Sequence, residues 1–204
     1  MKFMINTSYD VIIIGGGVVG CAIARELSRF RLHTALLEKS ADLCAGQSKA
    51  NTAIIHGGYD AKPGTKKALY NVRGNAMFDT VCKELDVPYE WNTSLVVSFS
   101  EAEDQSIYDL YERGQKNGIP GLQIIDRDEI LRREPNISSE AHLALLVSNG
   151  GIVCPYELTL AYAENAAKNG VEFFRSTPAV NVRRHGEQWI VETPSRIFTC
   201  KAVV

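Results

Sequence analysis

Three glycines near the start of the chain have the spacing that a nucleotide pyrophosphate requires. Gly15, Gly17 and Gly20 fit G-x-G-x-x-G directly after the apolar run of residues 9–14. In this pattern the first glycine makes a tight turn, the second lets the backbone approach a pyrophosphate, and the third allows a helix to pack closely on its strand. The helix start adds free N–H groups and the positive end of the helix dipole, which favour phosphate. The spacing therefore predicts a dinucleotide-binding turn.

An acidic residue follows at the distance expected for a ribose contact. Glu38 lies 18 residues after Gly20, at the end of a second short apolar strand over residues 34–38. A carboxylate at this place hydrogen-bonds a ribose hydroxyl and disfavours a 2′-phosphate, hence NADP. NAD and FAD both contain an ADP half, so these residues alone leave the choice between them open. A glycine turn without a ligand is the structural alternative.

A second region with chemical capacity is the polar, glycine-rich stretch from Gly46 to Gly58. It contains His56, whose neutral imidazole near pH 7 can accept a hydroxyl proton while hydride leaves the adjacent carbon. A purely structural histidine is the alternative. Ser48, Asn51 and Thr52 can bond a pyrophosphate or a ribitol chain, or else their own backbone. The stretch is predicted to wrap a ligand instead of forming a core.

This stretch also carries a resemblance to a known family. Residues 46–59, which end in Ile-Ile-His-Gly-Gly-Tyr, resemble the flavin-wrapping loop of the FAD-dependent oxidoreductases of the D-amino-acid-oxidase-like superfamily. The similarity is greatest to the branch that contains glycerol-3-phosphate dehydrogenase and L-2-hydroxyglutarate oxidase. Residues 128–136, 151–158 and 169–180 are similar to further segments of that family, so the resemblance covers nearly the whole chain.

The resemblance implies FAD as the cofactor and a set of residues that contact it. His56 is implied beside the flavin ring as proton acceptor, ring-orienting donor or point of covalent attachment. Val180 belongs to a segment similar to the strand whose backbone touches the adenine. The implied cofactor-binding residues are Gly15, Gly17, Gly20, Glu38, Lys39, Ser48, Thr52 and Val180.

By the same resemblance, the intact enzyme is expected to oxidise the secondary alcohol of a small anionic substrate, with hydride transfer to flavin N5. Glycerol 3-phosphate is the first expected substrate and L-2-hydroxyglutarate the second. Reoxidation by a quinone, an electron-transfer protein or oxygen is left open. Two other classes are alternatives: a nucleotide-binding fragment without turnover, and an NAD-dependent dehydrogenase, although the middle of the chain shows no second βαβ half.

The elements that must position these residues alternate between strands and helices. They predict an α/β protein with a Rossmann-like FAD-binding domain interleaved with part of an α+β substrate domain. The FAD-binding domain is predicted over residues 1–86 and 150–204, and the partial substrate domain over 87–149. Helices are predicted over 18–30, 63–86, 101–117, 126–134 and 155–169, and strands over 9–14, 34–38, 94–100, 122–125, 141–148, 171–174, 178–184, 187–193 and 197–204.

Composition argues against several classes of protein. With 22 Lys+Arg and 24 Asp+Glu, a net charge of −2, the chain has no basic stripe for nucleic acid. The uncharged run over residues 11–24 has 14 residues, whereas a membrane span needs about 20 apolar ones. Five scattered cysteines without a CxxC pair argue against a zinc site or a disulfide framework and predict small, buried, reduced thiols. A cytoplasmic protein is expected, with peripheral attachment to a membrane left open.

The sequence ends at Val204, inside a predicted strand. Members of the family that it resembles continue into another glycine turn and further substrate-domain strands. The resemblance therefore implies that this chain corresponds to the N-terminal half of such an enzyme. An unfinished sheet edge of that kind predicts oligomerisation or aggregation of the fragment.

Overall fold

A computed structural model of the chain describes residues 5–204. In chain order its strands are β1 (Ile5–Ile14), β2 (Thr34–Leu37), β3 (Ile54–Ile55), β4 (Tyr89–Glu90), β5 (Ser94–Val97), β6 (Leu122–Asp126), β7 (Leu143–Val147), β8 (Gly151–Val153), β9 (Glu172–Phe174), β10 (Asn181–His185), β11 (Gln188–Glu192) and β12 (Ile197–Val203). Its helices are α1 (Val18–Leu27), α2 (Lys66–Leu85), α3 (Glu101–Lys116), α4 (Arg127–Arg133) and α5 (Pro155–Lys168). None of these helices combines the length and apolar character needed to cross a bilayer.

The chain divides into two compact units, and each unit is made from separate stretches of sequence. The first unit comprises the chain up to Thr52, Leu85–Val87 and Cys154–Val204. The second comprises Ala53–Glu84 and Pro88–Val153. The division into domains at residues 86 and 149 stays a prediction.

The first unit is built on a six-stranded sheet with the order β10-β11-β12-β1-β2-β9. The strands β12, β1, β2 and β9 run parallel, and β11 and β10 add an antiparallel meander. Because parallel strands have their carboxyl ends at the same edge, the turns that follow β1, β2 and β9 share one edge of the sheet. That edge is where open α/β sheets bind ligands.

The helices α1 and α5 cover one face of this sheet. Their contact is lined by small side chains, Cys21, Ala24, Ala163 and Ala166, which pack with Ile13 and Leu36 of the sheet. Neighbouring residues in a strand point to opposite faces. Ile12 and Leu37 therefore belong to a second cluster, which includes Tyr9, Ala35, Val191, Phe198 and Cys200.

The second unit contains two antiparallel sheets of three strands, ordered β3-β8-β4 and β5-β7-β6. The central strand β7 is buried on both faces. Leu145 and Val147 pack into a cluster with Ile107 of α3, and Ala144 and Leu146 pack into another with Ile130 of α4. The sheet β5-β7-β6 is thus held between α3 and α4.

The structure confirms the predicted α/β class and most of the predicted elements, but it corrects several ends. The prediction that α2 starts at Pro63 was wrong, because the helix begins at Lys66. Gly64 has a φ of +80°, and the Thr65 hydroxyl accepts the Ala68 N–H at 3.2 Å, as an N-cap does. The strand predicted to reach Ser100 ends at Val97. There the Ser98 hydroxyl donates to Asp104 of α3 at 2.7 Å.

Candidate dinucleotide-binding site

The turn after β1 is drawn tight against the start of α1. Gly15 has a φ of +114°, a conformation that glycine adopts readily and other residues rarely. Its amide donates to the Leu37 carbonyl at 2.8 Å, which ties the turn to β2. A side-chain carbon at Gly20 would overlap the carbonyl oxygen of Gly15. Glycine at position 20 is therefore what allows α1 to begin so close to the end of the strand.

Glu38 binds the same turn from the end of β2. The residue is 8% exposed, and its carboxylate accepts the Gly16 N–H at Oε2 and the Ser40 N–H at Oε1, both at 2.7 Å. Burial raises the pKa of Glu38, but the hydrogen bonds from Ser40 and Gly16 outweigh it, and the pKa lies below its ordinary value of 4.5. The carboxylate is therefore ionised at neutral pH, and its oxygens keep lone pairs for a hydroxyl donor.

The segment that follows β2 closes over the glycine turn. The Cys44 amide donates to the Gly16 carbonyl at 2.8 Å. The Ser48 hydroxyl accepts the Val18 N–H at 3.0 Å and so caps the start of α1 from outside the helix. A side-chain carbon at Gly17 would lie 3.1 Å from the Ser48 oxygen. The Ser48 hydroxyl keeps its own proton for an acceptor such as a phosphate oxygen.

A cavity of about 310 Å³ opens at this helix start. Cys21 is the residue whose amide closes the first bond of the helix, to the Gly17 carbonyl at 3.0 Å. Amides earlier in the first turn precede the intrahelical ladder and, with the helix dipole, attract anions. The cavity wall combines the glycine turn with polar and apolar side chains: Gly15, Gly17, Ser48, Ile14, Val19 and Val204.

The beginning of the segment after β9 is bonded to the end of β2. The amides of Ser176 and Thr177 donate to the carbonyls of Ser40 and Glu38, both at 2.8 Å. Val180 follows with a side chain that is 63% exposed. Its amide donates to the Glu192 carbonyl at 2.8 Å, so a backbone contact from Val180 to an adenine would use its carbonyl oxygen.

The structure brings together five of the predicted residues at one turn and places the others elsewhere. The five are Gly15, Gly17, Gly20, Glu38 and Ser48. Lys39 is exposed beside Glu38, whose pKa its charge helps to lower, and Thr52 is exposed at the end of the first unit's initial stretch. His56 belongs to the second unit, where it directly follows β3.

The cysteines are free thiols, and the prediction that they are buried was wrong for one of them. Cys21, Cys44, Cys82 and Cys200 are buried, whereas Cys154 is exposed. Burial raises the pKa of Cys21 to about 12, so this thiol under the glycine turn is protonated and unreactive. The role of Cys44, with φ of +58°, in closing the turn has no local sequence signal.

Comparison with known proteins settles the family. Residues 10–204 match the family described as FAD dependent oxidoreductase. The chain belongs to this family. Membership confirms the resemblance seen in the sequence and, between the two dinucleotides that the glycine turn left open, it favours FAD.

Individual members of the family are similar over most of the chain. Glycerol 3-phosphate dehydrogenase from Caloramator mitchellensis is 46% identical over 196 residues, 96% of this chain and 41% of that protein. Mitochondrial L-2-hydroxyglutarate dehydrogenase from Nematostella vectensis is 38% identical over 168 residues, 81% of this chain and 36% of that protein. The structure of reduced L-alpha-glycerophosphate oxidase from Mycoplasma pneumoniae with FAD bound has a TM-score of 0.91 at 29% identity, covering 97% of this chain and 53% of that one. The chain thus spans about half, or less, of each of these proteins.

Proposed function

We propose that this chain supplies the part of an FAD-dependent dehydrogenase that binds the ADP half of the cofactor. The observation that carries the proposal is the arrangement around one turn. The tight Gly15–Gly20 turn and the open start of α1 line a cavity, and the ionised Glu38 carboxylate binds that turn at the Gly16 N–H. These are the groups that a pyrophosphate and a ribose require. Family membership and the FAD-bound relative support the same assignment.

The residues fit FAD part by part. The first-turn amides of α1 that follow Val18 and the Ser48 hydroxyl, which the Val18 N–H binds, would hold the pyrophosphate. Glu38 would accept a bond from the adenosine ribose. The Val180 carbonyl would contact the adenine, with the exposed Lys39 side chain beside Glu38. The Thr52 hydroxyl is assigned to the cofactor as well, on the resemblance alone. When bound, FAD supplies the two-electron redox chemistry, while the protein supplies binding and orientation.

His56 is assigned the role of proton acceptor. Its side chain is exposed, although Ile55 before it and Gly57 after it are buried. Within residues 5–204 the imidazole has no hydrogen bond or ion pair of its own. A neutral imidazole in that state can take the proton of a substrate hydroxyl as the alcohol is oxidised to a ketone.

The proposed substrate is a small anionic secondary alcohol. Glycerol 3-phosphate comes first, because the relative at 46% identity carries that name, and L-2-hydroxyglutarate is the alternative. The proposal includes reoxidation by a quinone or an electron-transfer protein. It also includes a cytoplasmic location, either free or at the surface of a membrane.

The test is a turnover assay of the whole FAD-loaded protein with an artificial electron-accepting dye. We expect glycerol 3-phosphate to reduce the dye, with kcat/KM above that for L-2-hydroxyglutarate. His56→Gln should lower kcat by about 10²–10⁴-fold and leave the FAD content unchanged. Bound FAD that neither substrate reduces would contradict the proposal and favour a nucleotide-binding module without turnover.

A further inference from the structure

Three asparagine side chains hold the backbone around His56. Their Nδ2 atoms donate to three consecutive carbonyls: Asn75 to His56 at 3.1 Å, Asn149 to Gly57 at 3.1 Å and Asn117 to Gly58 at 3.0 Å. All six residues belong to the second unit. Each carbonyl from position 56 to position 58 therefore receives one side-chain amide.

The asparagines come from three different elements and are themselves fixed. Asn75 lies on α2, Asn117 caps the end of α3, and Asn149 lies in the turn between β7 and β8. Asn75 Nδ2 also donates to the Asn149 carbonyl at 2.9 Å, and Asn149 Nδ2 donates to Asn75 Oδ1 at 3.2 Å. Asn117 Nδ2 reaches a further carbonyl, that of Ala61, at 2.8 Å. The loop is thus bound to two helices and a strand turn at once.

The glycines after His56 are what allow this approach. A side-chain carbon at Gly57 would overlap the Val147 side chain and lie 2.7 Å from Asn149 Oδ1. Gly58 has a φ of +91°, which a residue with a side chain adopts only with strain. On the other side of His56, the strand β3 pairs with β8. The backbone on both sides of His56 is therefore determined by its surroundings.

The imidazole ring of His56 is not held by neighbouring residues in the way that its backbone is. The backbone at position 56 is bound, whereas the ring is exposed and forms no hydrogen bond with the described residues. A ring in this setting has only its own side-chain torsions left to fix when a substrate arrives. Holding a reacting group in place beforehand is a large part of what protein scaffolds contribute to catalysis.

We propose that Asn75, Asn117 and Asn149 are positioning residues for His56, which they act on by binding the carbonyls of residues 56–58. This inference rests on the proposed function of His56 as the proton acceptor. The asparagines form and break no covalent bond and carry no charge. The residues assigned to the ADP half of FAD lie in the first unit and stay unchanged in these variants. The expected effect of removing an asparagine is therefore on where the imidazole lies.

The matched comparison sets Asn75→Ala and the isosteric Asn75→Asp against Asn169→Ala. Asn169 also donates its amide to a backbone carbonyl, that of Asn165 at 2.8 Å, but in the first unit at the end of α5. In the whole FAD-loaded protein we expect both Asn75 variants to lower kcat about tenfold to a hundredfold. KM for glycerol 3-phosphate should stay within about twofold, as for a group that acts mainly on the chemical step. Asn169→Ala should change neither constant.

A double-mutant cycle separates positioning from general stability. In a His56→Gln background, Asn75→Ala should cause no further loss of kcat, because the two residues act as a unit. A further loss of the same size would overturn the inference. A fall in kcat for His56→Gln without one for the Asn75 variants would overturn it too. An unchanged kcat for His56→Gln would instead show that the proposed role of His56 is wrong.

Amide hydrogen exchange of the flavin-free protein gives a readout that does not depend on activity. We expect faster exchange at the hydrogen-bonded amides of β3 and β8, which pair directly before His56, in Asn75→Ala than in the unchanged protein, with α5 unaffected. If Asn75→Ala does not fold, Asn117→Ala serves with the same kinetic and exchange readouts. Unchanged exchange in a folded variant would contradict the proposed hold on the loop.

Discussion

Glu38 illustrates how a residue that is proposed to bind a ligand can also stabilise the fold. Its two carboxylate oxygens accept the amides of Gly16 and Ser40, so they stabilise the turn before any ribose is present. A carboxylate can accept further bonds at each oxygen. The residue that is expected to select the ribose therefore also keeps the glycine turn in the conformation that the pyrophosphate needs.

Replacing Glu38 with Gln tests this double role. Both neighbours of the carboxylate are donors, so the amide NH₂ of Gln would face an N–H group and leave it without an acceptor. We expect a loss of about 1–3 kcal/mol in the free energy of unfolding at pH 7, measured by urea titration. Asp42→Asn is the control. The Asp42 carboxylate also accepts two hydrogen bonds, from the Leu43 N–H and the Tyr156 hydroxyl, but it is exposed, so water can replace them and the change should cost little.

The loss in the free energy of unfolding on Glu38→Gln should depend on pH, and the pKa of Glu38 determines the direction. The pKa of Glu38 is lower in the folded chain than its ordinary 4.5, so its stabilising effect is present above that value. The effect is lost as the pH falls through the folded pKa. The difference in the free energy of unfolding between the unchanged protein and Glu38→Gln should therefore become smaller below about pH 4.5. A difference that stays constant down to acid unfolding would contradict the stabilising role of the Glu38 carboxylate.

Some contacts of the candidate site could be predicted from the sequence, whereas others could not. The glycines and Glu38 follow from local spacing, because the turn and the strand end are neighbours along the chain. The Ser48 cap joins residues 30 positions apart, and the bond from Asn149 to Gly57 joins residues 92 apart. A side chain that bonds a distant backbone carbonyl leaves no periodic trace. The asparagines around His56 were missed for this reason.

At the scale of elements, sequence periodicity identified the long helices and the buried strands. It missed the sheet β3-β8-β4, because strands of two or three residues are too short to show a period. It also set the start of α2 three residues too early, because Pro63 favours a helix start and the local cap at Thr65 was not recognised. The missed sheet matters, because β3 leads directly into His56.

At the edge of the parallel sheet away from the glycine turn, a histidine links three strands through contacts that depend on its protonation. His33, just before β2, contacts Glu172 of β9 at 2.8 Å and the Ser8 carbonyl of β1 at 3.1 Å. The hydrogen bond with Glu172 raises the pKa of His33 above 6.5, and the charge of Asp10 adds to the shift. The stabilising effect is therefore full below about pH 6.5 and lost as the pH rises through the folded pKa.

His33→Gln should remove the part of the pH dependence of the free energy of unfolding that His33 causes. Both side chains are partly exposed, 43% for His33 and 47% for Glu172, so the effect should stay within about 1 kcal/mol. Unfolding at a series of pH values from 5.5 to 8.5 would measure it, roughly the range in which histidine titrates. His185→Gln is the control, at an exposed histidine of β10. If the free energy of unfolding changes with pH equally in the unchanged protein and in His33→Gln, the contact between His33 and Glu172 does not stabilise the fold.

At the scale of the whole molecule, the proposed chemistry is shared between two units. The residues assigned to FAD come from the first unit, and His56 with its three asparagines comes from the second. Each unit is assembled from separate stretches of the chain, so neither could be recognised as one continuous block of sequence. The relatives at 46% and 38% identity are more than twice as long, and substrate selection is proposed for the whole protein.

Flavin absorption by the purified protein, before and after denaturation, shows whether the Gly15–Gly20 turn holds FAD. We expect visible flavin bands from bound FAD that unfolding releases. Gly20→Ala should lose them, because its methyl group would overlap the Gly15 carbonyl, whereas Gly74→Ala on α2, which meets no atom within 4 Å, should keep them. A folded protein that stays colourless with added FAD, or equal FAD content in both variants, would contradict the account.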